Sequence, residues 1–325
     1  MEVGELRAQG KTIILITHKL REVLAASDRV TVLRNGRVAG VLETKRTSAA
    51  EIARLMIGHE LRPAGARQTK PRDEVILSLS GVRALGGRGE EALRGVDLEV
   101  RAGEVLGIAG VSGNGQRELA EAVLGIRIPS GGRISFRGRD VTTLDVDALR
   151  GLGMAYVPED RRTDGLVLPF TLYDNFILGH QDDPPFSRFG VLDRGRIREN
   201  GLRLVKEYDV RPPEPGRLAS QLSGGNQQKV VLGRELSLQP RLLVASEPTR
   251  GLDIGATEYV HRRILDARNA GAAVLLISSE LDEVRALSDR IAVIFEGRIV
   301  ATLETAEATE ERLGLLMAGH ADTSA

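Results

Sequence analysis

Cysteine is absent from this 325-residue chain, which excludes disulfides, thiolate metal centres and a cysteine nucleophile, and fits a reducing compartment. Nor is there a surplus of charge. Lys and Arg number 45 and Asp and Glu 45, without the basic excess of a protein that neutralises phosphate backbones, so nucleic acid is not an expected partner. No apolar run approaches the roughly 18 residues of a membrane span, and residues 1–10 are too polar for a signal peptide. The expectation is a soluble, intracellular chain whose membrane role, if it has one, runs through partners. With 42% hydrophobic and 28% charged residues, there is apolar material for one large core or two small ones, hence one or two domains.

What the chain does contain is an internal repeat. Residues 11–44, KTIILITHKLREVLAASDRVTVLRNGRVAGVLET, return as residues 272–305, AAVLLISSELDEVRALSDRIAVIFEGRIVATLET. The offset holds without gaps into the tails LMIGH and LMAGH, since 279 − 18 and 320 − 59 both give 261. Residues 1–61 therefore read as the C-terminal remnant of a first domain whose complete copy occupies residues 74–320. A Pro-, Arg- and Gly-rich linker (62–73) joins them, and 321–325 form a tail. In the complete copy, VLGIAG runs through VSGNGQ into RELAEAVLG, a buried strand entering a helix by a tight turn. Apolar runs at 242–245, 273–277 and 291–295, separated by helical patterns at 256–269 and 281–287, predict an α/β fold with a mainly parallel sheet. By the same reading residues 12–16 form a strand that ends at His18.

Several motifs carry chemistry. Residues 110–117, GVSGNGQR, approach the phosphate-loop pattern GxxxxGK[ST]. Gly110, Gly113 and Gly115, with Asn114 between, would let backbone N–H groups converge on phosphate oxygens at a helix N-terminus. Gln116 stands where lysine would neutralise those oxygens, and Arg117 stands where a hydroxyl would hold magnesium. The alternative is a glycine turn that only packs strand on helix; a Rossmann reading lacks its third glycine. Ser223, Gly224 and Gly225 open a helix in LSGGNQQK, forming a second anion site with Gln227 beside it. Glu247 closes the apolar strand at 242–245, where α/β sheets bind ligands. Ser246 precedes it, at a position where the resemblance given next implies a metal-holding carboxylate.

LSGGNQQK followed a dozen residues later by LLVASEPTRGLD resembles the signature, Walker B strand and D-loop of an ATP-binding cassette (ABC) subunit. With GNGQ in the phosphate loop and VPEDR, the pattern is similar to the second nucleotide-binding domain of double-cassette importers for simple sugars and nucleosides, leaning to the nucleoside branch served by basic-membrane-protein-type lipoproteins. The resemblance implies a P-loop NTPase-like domain with an antiparallel β subdomain and a helical signature subdomain. It implies ATP and Mg2+ as cofactors, Glu247 as general base, His18 as an inherited switch histidine, Asp253 as the D-loop interface group, and Glu159 at the position of a metal-contacting glutamine. Ser223, Gly224, Gly225 and Gln227 would face nucleotide held by the opposite domain of a head-to-tail pair. Implied partners are two transmembrane permease subunits and an extracytoplasmic substrate-binding lipoprotein, placing the chain at the cytoplasmic face of the membrane.

Two cassettes packed head to tail share each ATP between one phosphate loop and the opposite signature. The family's competent site takes its loop from the first domain, which this sequence lacks, so ATP hydrolysis coupled to nucleoside or sugar uptake is expected of the assembly and weak nucleotide binding of the chain alone. A non-catalytic adaptor docked on the permease is the alternative. A soluble ABC protein of translation or repair fits less well, because NQQK and VPEDR follow the importer pattern.

Overall fold

The computed structural model describes residues 6, 9–17, 19–34, 36–58 and 68–320. These fall into two units, Met1–Pro63 with Gly251–Tyr259, and Ala64–Arg250 with Val260–Ala325. His18, the first part of the predicted linker (62–67) and the tail 321–325 lie outside the described residues.

In the first unit a helix at Leu20–Ala26 precedes a hairpin of β1 (Arg29–Arg34) and β2 (Arg37–Glu43), followed by a helix at Ala49–Ile57. Val30 and Val32 point inward from β1 at period two and pack with Ile52 of the second helix. That helix is bounded by local chemistry. The Ser48 hydroxyl accepts from the Glu51 amide at its start, and Gly58 takes a left-handed conformation at its end.

The second unit opens with β3 (Val75–Leu85) and β4 (Glu91–Arg101), then β5 (Val105–Ala109), which feeds a helix at Gln116–Val123. There follow β6 (Gly131–Phe136), β7 (Arg139–Asp140) and β8 (Met154–Val157). A mainly helical stretch carries the small hairpin β9 (Ser187–Arg188) and β10 (Val191–Leu192) and the helices Arg194–Glu207 and Gly224–Leu236. The chain ends through β11 (Leu242–Ser246), β12 (Ala273–Ile277), β13 (Arg290–Phe295) and β14 (Arg298–Glu304). The six-stranded sheet has the order β14-β13-β5-β12-β11-β8. It is parallel except for the β13–β14 hairpin. A four-stranded antiparallel sheet, β4-β3-β6-β7, lies beside it. β5, β11 and β12 are buried at every residue, which is why they read as continuous apolar runs. Leu119 and Val123 of the helix after β5 join Leu93 of the antiparallel sheet and Ile108 and Ile277 of the parallel one in a single core. Each such fully buried aliphatic side chain contributes about 1.5–3 kcal/mol. That core fixes the loop between β5 and its helix.

The sequence repeat is a structural repeat. β1 and β2 match β13 and β14 at the same offset, since 290 − 29 and 304 − 43 both give 261. The irregular register recurs as well, between Val32 and Leu33 in one copy and Val293 and Ile294 in the other. One expectation is overturned: residues 11–17 form no strand, and Ile14 and Ile16 are 87% and 94% exposed. Their counterpart β12 is built by pairing with β5 and β11 on its two sides. Among the described residues of the first unit no counterpart of either neighbour exists, and an apolar run without ladder partners stays irregular.

Candidate nucleotide site

β5 ends at Ala109 and the chain turns through Gly110 and Gly113 before the helix at Gln116. Gly115 sits at φ 104°, and a Cβ there would lie 2.7 Å from the Ala92 carbonyl oxygen, so the loop curls against β4 only with glycine at this point. The side chains of the loop are spent on the loop itself. Gln116 donates through Nε2 to the Val111 carbonyl (2.9 Å) and accepts through Oε1 from the Asn114 amide (3.0 Å). Asn114 donates to the same carbonyl (2.8 Å) and accepts from the Glu296 amide (2.7 Å). The Asn114 amide, a natural phosphate donor, is therefore already satisfied by the residue that replaces lysine.

Arg117, exposed, is held by its Nε to Glu121 Oε1 at 2.8 Å, one helical turn on. Arg127 takes the other oxygen, Oε2, at 2.6 Å. Burial pushes the Glu121 carboxyl up, but the hydrogen bonds and charges of the two arginines outweigh it and leave it below the usual carboxylate range.

The loop opens on a cleft of about 1520 Å³ that brings together Gly113, Asn114, Gln116, Arg117, Glu159, Ser246 and Glu247. Nine carboxylates and six guanidiniums line it, with no lysine among them. Glu247 lies at the end of β11 with φ 44°, a left-handed conformation that costs a non-glycine residue about 1–2 kcal/mol. Its amide donates to the Ile277 carbonyl at 2.7 Å. Both carboxylate oxygens are engaged by Ser279, Oε1 by the amide (2.7 Å) and Oε2 by the hydroxyl (3.1 Å). Ser279 stands at the repeat position of His18, so the residue that replaces the histidine anchors the candidate base. Sequence reasoning did not find this pairing, which joins segments 32 residues apart.

Burial raises the Glu247 pKa; the Ser279 hydrogen bonds oppose this, and the negative charges of Glu283 and Glu159 add to it. A folded-state pKa above the unfolded value means the native state holds the proton more tightly, so this group's contribution to stability falls as pH rises through its raised pKa. Glu247→Gln is accordingly expected to melt higher than the wild type at pH 8, by about 1–3 °C, with the gain gone near pH 4. Thermal melts at the two pH values check this, and an equal difference at both would contradict it.

The remaining site residues fall elsewhere. Glu159 is ion-paired with Arg250 rather than free to contact a metal. Ser223 is exposed at the head of the helix Gly224–Leu236, its hydroxyl accepting from Asn226 Nδ2 at 3.0 Å. A Cβ at Gly224 would come within 2.6 Å of Arg161 Nη2, so a side chain there would displace the end of that arginine. Arg161 also donates to the Arg250 carbonyl at 2.9 Å, tying the signature, VPEDR and EPTR segments together. Gly225 follows in the first turn of the same helix. Gln227, read as a nucleotide ligand, is buried and donates to the Ala219 carbonyl at 3.0 Å; it shares the inward face of the helix with Val230 and Val231, three and four residues on. Its neighbour Gln228 is buried too and donates to the Pro248 carbonyl at 2.8 Å. Asp253, in the other unit, caps the helix Ile254–Asn269 by accepting from the Ala256 amide at 2.8 Å.

The residues present do not make a magnesium shell. Ser246 offers a buried hydroxyl with no hydrogen-bond partner, although the Tyr156 phenol lies near enough to be affected by it. No group of three His, Cys, Asp or Glu suited to a metal occurs among the described residues.

A mainly parallel sheet, a glycine loop entering a helix, an antiparallel side sheet and a helical insert ending in SGG define a nucleotide-binding domain of the ATP-binding-cassette class. The ABC transporter family model matches residues 93–250. The chain is 45% identical over 96% of its length to the guanosine import ATP-binding protein NupO of Bacillus subtilis, covering 61% of that protein. It is 42% identical over 96% to the nucleoside import ATP-binding protein NupA of Lactococcus lactis, covering 62%. It is 40% identical over 96% to the ribose import ATP-binding protein RbsA 2 of Rubrobacter xylanophilus, covering 59%. The fold is similar to a nucleotide-free ATP-binding cassette of an ABC transporter (TM-score 0.63, 24% identity, 74% of this chain and 95% of that one). It is likewise similar to a dimeric post-hydrolysis cassette bound to ADP and Pi (TM-score 0.61, 23% identity, 71% and 99%). The match places an ABC domain at residues 93–250, and the relatives the chain is similar to are import ATP-binding proteins for nucleosides and sugars. The chain spans about three-fifths of the length of the curated relatives it matches.

Proposed function

We propose that the chain is part of the ATP-binding subunit of an importer for nucleosides or simple sugars, in which this cassette supplies the signature to a second cassette's phosphate loop. The observation that carries this reading is the contrast within one domain. Ser223 is exposed at a helix head, while the domain's own loop has Gln116 folded into it and no lysine.

In the assembled site, the Ser223 hydroxyl and the Gly224 and Gly225 amides would receive the γ-phosphate of ATP held by the opposite loop, with the helix dipole favouring the anion. His18 would serve that same site as its switch histidine, and Asp253 would lie at the interface between cassettes. Magnesium would accompany ATP there on ligands from the opposite cassette, this chain contributing none. Glu247 is the group in this chain's own cleft placed to accept a proton from water. It lacks the neighbouring metal carboxylate and switch histidine, so turnover by the chain alone would be slow.

No helix among the described residues is long and apolar enough to cross a membrane. Attachment at the cytoplasmic face would therefore run through two permease subunits, with solute delivered by an extracytoplasmic binding lipoprotein. Deleting the coding sequence in its source cells should abolish uptake of labelled nucleosides and leave amino-acid uptake intact. Loss of ribose-type sugar uptake instead would assign the sugar branch. Unchanged uptake of both classes would overturn the importer reading.

A further inference from the structure

The cleft beside the glycine loop holds no lysine, and among its six guanidiniums Arg117 is the one carried by the helix that follows the loop. Arg117 is the second residue of the helix Gln116–Val123 and lines the cleft. Its side chain is 74% exposed and pinned through Nε alone to Glu121, whose own side chain is 13% exposed and held by Arg127. Nη1 and Nη2 of Arg117 make no hydrogen bond among the described residues. Glu121 thus acts as a clamp that sets the guanidinium's position and leaves its two outer nitrogens for a ligand.

At the ends of β8 and β11 the side chains that face the loop are neutral or already engaged. Ser246 is neutral and buried with no hydrogen-bond partner. Glu247 has both oxygens engaged by Ser279, and Glu159 is paired with Arg250. The Arg117 guanidinium would also repel a magnesium ion held on the same phosphates. A guanidinium and a phosphate, by contrast, match in geometry and charge through two parallel N–H donors.

We infer that this cleft binds nucleoside di- or triphosphate free of magnesium, with the Arg117 guanidinium taking the place of the metal ion. The inference rests on the reading of the cleft as a nucleotide site, and it deepens that reading by specifying the ionic form of the ligand. Magnesium in solution complexes ATP and lowers the concentration of the form that Arg117 recognises, so added Mg2+ should weaken binding.

The test is equilibrium binding of ATP and ADP to the full chain, once in excess EDTA and once in excess Mg2+. The expected result is binding in EDTA that Mg2+ weakens by about threefold or more. Arg117→Ala should lose about tenfold or more of the EDTA affinity with an unchanged melting profile. Gln116→Lys combined with Arg117→Ser and Ser246→Asp, which rebuilds the consensus, should reverse the metal effect so that Mg2+ tightens binding.

Wild-type binding that Mg2+ leaves unchanged or strengthens would overturn the inference while leaving the nucleotide site standing. So would an Arg117→Ala variant that folds normally and binds as the wild type does in EDTA. Absence of binding in both conditions, in a chain whose melting profile shows it folded, would overturn the inference together with the nucleotide reading of the cleft.

Discussion

Arg268→Ala should lower the melting temperature by about 8–15 °C, the largest stability loss expected from removing any single charged side chain described here. Arg268 is 1% exposed. Its guanidinium holds Asp289 through Nε to Oδ2 (3.0 Å) and Nη2 to Oδ1 (2.8 Å). The third nitrogen, Nη1, reaches Thr69 (3.2 Å) and Asn269 (2.9 Å). Asp289 Oδ2 also accepts from the Val105 amide at 2.8 Å, so the pair ties the start of β5 to the helix Ile254–Asn269 and to the segment entering the domain. Alanine would leave the Asp289 carboxylate, only 12% exposed, without its countercharge. Breaking a buried pair from one side costs about 3–5 kcal/mol.

The contrast is Arg203→Ala. Its pair with Glu207 is 53% and 43% exposed, and its removal should cost less than about 1 kcal/mol. Thermal melts of the two variants side by side check the difference, and a loss at Arg268 no larger than that at Arg203 would show that the buried pair is dispensable. The consequence reaches the site, because β5 leads directly from Val105 to the phosphate loop.

How far the sequence can be read follows from which interactions are local. β5, β11 and β12 are legible as apolar runs because strands buried on both faces need nothing but apolar residues. The helix Leu281–Leu287 is legible in the spacing of its apolar positions. The same signal fails at residues 12–16, because a buried strand is defined by its neighbours as much as by its own letters. The antiparallel sheet is inferred only through family resemblance. β3 carries several register shifts against β4, which blur the alternation that would mark it.

In the site, Gln116 and Ser246 can be read as missing charges and Arg117 as an added one. What replaces those charges cannot. The Gln116 amide turns back into the loop, Ser279 anchors Glu247 and Arg250 pairs with Glu159 through tertiary contacts that no spacing rule contains. Gln227 is a motif letter whose side chain is buried and holds the helix to the Ala219 carbonyl, a tertiary role that the motif does not spell out.

In the importer assembly proposed above, Ser223→Arg should reduce ATP turnover by about 100-fold or more, whereas Glu247→Gln should change it by less than about threefold. The asymmetry follows from the two halves of this one domain. Ser223 is exposed at the helix head with its hydroxyl accepting only from Asn226, so it is free to meet a phosphate presented by another cassette. An arginine there would place a long side chain where the γ-phosphate and the opposite loop must approach, beside Arg161, which already packs on Gly224. Glu247 faces a cleft whose neighbouring position is a neutral serine and whose switch position, Ser279, is occupied in holding the carboxylate itself. Removing a base from a site that lacks the rest of its machinery takes little from the total.

The measurement is steady-state phosphate release by the reconstituted transporter, with vanadate inhibition to isolate its own turnover. Equal losses in the two variants would mean that both composite sites hydrolyse. A loss confined to Glu247→Gln would transfer the chemistry to the degenerate cleft and reverse the roles assigned to the two halves of the domain.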